Sequence, residues 1–339
     1  MAAQQPVPGT PTGLIAGEID EFADASTRAS VSIAGAGGGA DGGAGGAGRE
    51  IARKPFNLRR WFFATGWRHV VGVVMVIFSL FPIVFVISSS LNPQGTLTGS
   101  NALFSKIGLD SYVRILTDPQ VPFLTWFGNT LMIAGITAVL TVFLGALAAY
   151  SFSRMRFTGR RFGLISIVVV QMFPQLLAVV AIFLLMSAIG DWFPAIGLNT
   201  HIGLIMVYLG GALGVNTYLM YGFFNTVPAS IDEAAKLDGA GHARIFFTII
   251  LRLVAPILAV VALLSFIASV NEFVVASVLL IDTDKQTLAV GLTKLVSNPR
   301  YADWSAFSAG AVIAALPVVA LFLFLQKYIV GGLTAGAVK

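Results

Sequence analysis

The 339-residue chain has no cysteine and only three histidines, His69, His201 and His242, far apart in sequence. Disulfides, thiol nucleophiles and cysteine-held metals are thereby excluded, and no zinc-ligand spacing is present. Charge is scarce too. Asp, Glu, Lys and Arg supply 11% of the residues, against about 25% in an average soluble domain. No Gly-x-x-x-x-Gly-Lys-Ser/Thr loop occurs, so the chain does not hydrolyse ATP by that route. No apolar segment lies near Met1; the first begins near residue 70, which argues against a cleaved signal peptide. What the chain does have is apolar surface: 56% hydrophobic residues and a mean hydropathy of +0.85, gathered in long runs. One soluble core could not hide them. A soluble enzyme and a nucleic-acid binder are both excluded, and the reading is an all-α, polytopic membrane protein.

Residues 1–60 stand apart. Between Ala34 and Gly48, nine of fifteen positions are glycine, a composition with almost nothing to bury, which predicts a disordered cytoplasmic arm. The rest, 61–339, reads as one membrane domain. A bilayer core of about 30 Å needs about 20 apolar residues at 1.5 Å each. Six segments qualify, near 69–91, 124–153, 161–189, 202–226, 252–281 and 304–330. Several are longer than the bilayer requires, so tilts or kinks are expected. Pro82, Pro174, Pro256 and Pro317 lie in these segments or at their ends.

Placing both termini in the cytoplasm puts 16 of the 21 Lys and Arg residues on that side and five outside, the bias that sets membrane orientation. The run from Arg154 through Arg156 and Arg160 to Arg161 is the firmest anchor, and a topology signal is the simplest reading of it. The small residues of Gly145–Ala149 and the pair Gly210-Gly211 suit close helix packing. One ionisable residue stands clearly inside a span: Glu272, beside Asn271. Such a group is costly in a membrane and is therefore a candidate. It is either a polar site for a solute or a structural acceptor paired with a neighbouring helix.

The informative loop, 228–252, falls on the cytoplasmic side between the fourth and fifth spans. Pro228 and Ser230 make a helix start, with Asp232 and Glu233 in the first turn, where the helix dipole favours acids. Ala234, Ala235 and Leu237 continue a short element, and Gly239 and Gly241 permit a sharp change of direction. Such a helix suits docking against another protein; taken bare, it is equally any re-entry turn between two spans.

Glu233-Ala234-Ala235, then three residues, then Gly239, then nine residues, then Ile249-x-Leu251, resembles the EAA loop of ABC importer permeases. One position departs: Arg252 stands where the family usually has proline, and Pro256 is available as an alternative helix start. Asn271-Glu272-Phe273, Asp303-Trp304, the run from Ala309 to Pro317, and the tail from Gln326 to Lys339 resemble the carbohydrate, maltose/maltodextrin-type branch. The likeness covers about residues 60–339 and leaves out the glycine-rich arm.

The resemblance implies the six-helix type I importer permease fold in the plasma membrane. It also implies a MalF-like second permease, an ATPase homodimer that binds the ATP, and an extracytoplasmic sugar-binding protein. Apart from lipid, no cofactor, metal or nucleic acid is implied. Glu233, Ala234, Ala235 and Gly239 would form the ATPase-coupling helix, and Gly332, Leu333, Thr334, Ala335 and Gly336 would reach the ATPase interface. The outer loop from Asp282 to Asp303 would meet the binding protein. The implied activity is ATP-driven sugar import by alternating access. Trehalose, another oligosaccharide or glycerol 3-phosphate remain open as cargo. A secondary carrier or channel without an ATPase is the competing class.

Overall fold

The computed structural model describes residues 63, 66–94, 103–297 and 302–337. The predicted arm lies outside them. By internal contact the chain divides into Met1–Trp67 and Arg68–Lys339, and the architecture below is that of the second unit. No strand occurs among the described residues.

Apolar runs become helices because only a helix satisfies its own backbone in lipid. Four of the six expected spans are single helices: α1 (Trp67–Ser90), α3 (Phe123–Arg154), α6 (His201–Phe224) and α12 (Trp304–Ala337). A short α2 (Asp110–Thr117) precedes α3. The third expected span is instead two helices, α4 (Arg160–Gln171) and α5 (Gln175–Trp192). They part at Pro174, which has no N–H to continue the ladder. Gln171 at the end of α4 donates through Nε2 to the Gly211 carbonyl at 2.8 Å, tying α4 to α6.

The fifth expected span is corrected most. It is not one helix over 252–281. Past α7 (Ala229–Leu237), α8 runs from His242 to Leu253 and carries π-helical turns over Ile245–Ile250. A 79° bend then leads into α9 (Ala255–Asn271). Pro256 sits in the first turn of α9, where its missing N–H costs nothing. A second break at Glu272 and Phe273 leads to α10 (Val274–Leu279), and α11 (Leu288–Ser297) follows outside it.

α3 is the central post, packed mainly on α6 and α9, with α9 in turn against α12. Its buried positions (Phe123, Trp126, Thr130, Ile133, Thr137, Thr141, Gly145, Ala149) recur every three or four residues, which is one face of a helix. At Gly145 a Cβ would overlap Met220 of α6, so glycine there allows close approach. Within this chain Gly210 and Gly211 allow no such approach, because a Cβ at either would meet nothing within 4 Å. At the α7 end a core forms from Ala149, Tyr150, Phe224, Val227, Ala235, Ile245, Phe246 and Ile250. At the other end Ile133, Leu204, Tyr208, Val275 and Leu279 form another. α1 is the exception: over its apolar window none of it is buried.

Candidate functional site

α7 begins at Ala229 after Pro228, with no side chain capping its first N–H groups. Ser230 therefore lies inside the first turn and does not cap it. The helix ends in a Schellman motif: Ala240 N–H donates to the Ala235 carbonyl at 2.9 Å, and Gly239 N–H to that of Lys236 at 3.0 Å. That closure needs a left-handed residue, and Gly239 supplies it with φ +79°. Gly241, with φ −72°, is extended and needs no glycine for its conformation.

The phase of α7 sorts the residues that the sequence grouped together. Asp232 and Ala235, three apart, point inward and are buried. Glu233, Ala234 and Gly239 are exposed. Ala235 thus leaves the outward set: it is buried in the core cluster that also holds Tyr150 and Phe246. In its place on the outer face stands Leu237, 91% exposed. The sequence offered a signal for it, since 233, 234 and 237 share a face whenever 232 and 235 face in.

The buried Asp232 departs from its expected role of merely answering the helix dipole. Arg154, the last residue of α3, places Nε 2.6 Å from Asp232 Oδ2, with side-chain exposures of 11% and 7%. The same guanidinium donates through Nη2 to the Val227 carbonyl at 2.7 Å. Arg154 therefore does more than mark topology. One turn earlier, the Tyr150 hydroxyl lies within 3.5 Å of His242 Nδ1, and its ring packs on Phe246 with centroids 5.1 Å apart.

Asn271 and Glu272 do not form one site. Asn271 is exposed, donates to the Ile267 carbonyl at 2.9 Å, and lines a cavity of about 340 Å³ between α9, α11 and α12. Glu272 turns the other way. Its carboxylate accepts from the Val275 and Ala276 amides at 2.8 and 2.9 Å and from the Tyr208 hydroxyl at 2.7 Å. It holds the first turn of α10 and ties it to α6, an arrangement that fits the reading of a structural acceptor paired with a neighbouring helix. Tyr208 was not anticipated, because nothing near Glu272 in sequence points to α6.

The opposite end is laced to the same frame. Asn199, with φ +57°, accepts from the amides of Ile281 and Asp282 at 3.1 Å and donates to the Asp282 carboxylate. That bond, with Lys285 adding to it, holds the Asp282 carboxyl below its ordinary 3.8. Trp126 Nε1 donates to the Thr283 carbonyl at 2.7 Å, and Leu288 N–H to Thr130 Oγ1 at 2.7 Å. The loop from Asp282 to α11 is thus held on the first turns of α3. The tail residues Gly332 to Gly336 continue α12 as helix to Ala337.

With this geometry in place, the chain can be compared with known proteins. The family "Binding-protein-dependent transport system inner membrane component" matches residues 141–334. Among curated relatives, the "Maltose/maltodextrin transport system permease protein MalG" of Salmonella typhimurium is 41% identical over 282 residues, covering 80% of this chain and 94% of that one. The Escherichia coli K12 protein of the same name is 40% identical with the same coverage, and that of Vibrio vulnificus 42% over 273 residues, covering 77% and 90%. Among solved structures, a bacterial ABC transporter involved in import of the acidic polysaccharide alginate matches with TM-score 0.68 and 26% identity, over 81% of this chain and 99% of that one. A further structure, of a bacterial alginate ABC transporter in complex with an alginate pentasaccharide-bound periplasmic protein, matches with TM-score 0.58 and 16% identity, over 79% of this chain and 94% of that one.

Proposed function

The chain belongs to the binding-protein-dependent transport system inner membrane components, and from that premise we propose that it is the MalG-like permease of a maltose/maltodextrin-type importer. It is a multi-pass membrane subunit of a sugar importer and does not itself carry out a chemical reaction. In this reading it pairs with a MalF-like second permease, an ATPase homodimer docks on its cytoplasmic face, and a sugar-binding protein approaches from outside. Both termini lie in the cytoplasm, and ATP is bound by the partner.

The observation that carries the coupling role is the outward face of α7. An apolar leucine, a small alanine, a carboxylate and a left-handed glycine turn stand exposed on a short helix whose other face is locked into the core. A cleft in an ATPase subunit would bury that face, and its closure would push α7. The spans then change between inward-facing and outward-facing arrangements. Sugar drives the cycle only through its different affinity for those states. The cargo assignment is supported by relatives named for maltose and maltodextrin that this chain covers almost entirely.

The test is purification from native membranes in mild detergent, identification of the co-purifying chains, and an ATPase assay. The expected result is a second permease and an ATPase, with hydrolysis raised by a maltodextrin-loaded binding protein. Stimulation by trehalose, another oligosaccharide or glycerol 3-phosphate instead would keep the machinery and replace the cargo. A lone chain that transports solute in liposomes without ATP would overturn the reading.

A further inference from the structure

We propose that the end of α3, through Arg154 with Tyr150 one turn before it, is the element that receives the movement of α7, and that Arg154 is the positioning residue that locks the two together. This rests on the coupling role of α7 given above. The ion pair to Asp232 and the hydrogen bond to Val227 hold the chain on the entry side of α7. The Tyr150 contacts to His242 and Phe246 hold it on the exit side. Arg154 and Tyr150 are four apart and therefore share one face of α3. Both flanks of the coupling helix are thus gripped by the same two turns.

Sliding α7 away from α3 would strand a buried carboxylate and a buried guanidinium without partners, which is far costlier than moving the pair together. The covalent route from α7 into the bundle is of another kind. It passes the left-handed Gly239, the π-helical turns Ile245–Ile250 and the 79° bend before α9. A helix interrupted in this way can flex at its breaks, and such positions commonly serve as hinges. The push on α7 therefore travels through α3, the continuous 32-residue post, while the α8–α9 joint accommodates it.

The experiment uses the whole complex in proteoliposomes, with binding protein and sugar. The single variants Arg154→Ala and Asp232→Asn are expected to assemble and to keep unstimulated ATPase activity within about twofold, while sugar moved per ATP falls at least tenfold. The exchange Arg154→Asp with Asp232→Arg is expected to recover at least threefold over either single variant. A parental sugar-to-ATP ratio in the single variants would overturn the proposal. So would an uptake loss that only follows the amount of complex assembled, or an exchange that recovers nothing.

Because the chain lacks cysteine, spin-label pairs give a second measurement in a complex whose other cysteines have been replaced. The separation between labels at Met155 and Ser230 is expected to stay constant between the ATP-free and ATP-bound states, while that between Ser230 and Leu264 changes. The opposite pattern would refute it. A parental complex with no ATPase subunit, or with no stimulation by loaded binding protein, would instead be a failure of the functional assignment.

Discussion

Replacing Gly239 separates a backbone requirement from a docking requirement, because the structure fixes the size of the first. A Cβ at this position would meet nothing within 4 Å, so no atom of the chain itself opposes the first carbon of a side chain. What remains is the left-handed φ of +79°, which costs an alanine about 1–2 kcal/mol. Asparagine pays less, since it is the usual substitute for glycine at this kind of helix end. Folding alone therefore predicts a mild defect for Gly239→Ala and almost none for Gly239→Asn. Docking predicts otherwise. Asparagine adds four heavy atoms to an exposed turn that must enter a partner's cleft, and aspartate adds a charge as well. A loss of about 1.4 kcal/mol in docking is tenfold in affinity, and excluding the turn altogether would lose more. The expected outcome is that Gly239→Asn and Gly239→Asp reach the membrane at levels within about twofold of the parent, yet take up at least tenfold less sugar. Uptake and membrane levels are measured on the same cells. Normal uptake by Gly239→Asn would refute the docking argument and leave glycine there for its backbone alone.

The two alanines of α7 are expected to diverge. Ala235→Leu overfills the core around Tyr150 and Phe246 and lowers stability by about 1–3 kcal/mol, seen as a lower Tm in detergent. Ala234→Leu leaves Tm unchanged but weakens binding of the ATPase subunit in pull-down. Glu272→Ala strands two amides and the Tyr208 hydroxyl and is expected to cost about 3 kcal/mol or more by thermal unfolding, with the sugar preference unchanged; an altered preference at constant Tm would make Glu272 a solute ligand. Because the Asp282 carboxyl is held below its ordinary 3.8, its tie to Asn199 is present above that value and lost as pH falls through the lowered one. Amide exchange at 281–286 is expected to rise in that acid range in the parent. In Asn199→Ala it is already raised at neutral pH.

The apolar runs were enough to locate the spans, since hydropathy measures what lipid requires. They could not reveal the breaks at Pro174, Val254 and Glu272, because a broken helix and a whole one have the same hydropathy. Pro256 marked the start of α9 in advance, but the 79° bend before it depends on how Ile245, Phe246 and Ile250 pack into the core. The EAA loop was legible as a loop and its faces were not. Amphipathic reasoning turns Asp232 outward, whereas Arg154, distant in sequence, turns it inward and so sets the phase of α7. Glu272 was visible as an anomaly, but its partner Tyr208 was not, because only the fold brings it near.

The bareness of α1 bears on how this chain can change over evolutionary time. Along α3 each inward position answers to a neighbour, so that a glycine at 145 or an alanine at 149 admits few replacements. Over most of α1 no neighbour from the same chain imposes a shape: only Ser88, Ser89 and Ser90 at its end are buried. Within its own chain, any apolar side chain that keeps the helix in lipid meets the demands of the fold there. The family match itself spans residues 141–334, leaving out α1 and the first half of α3 alike.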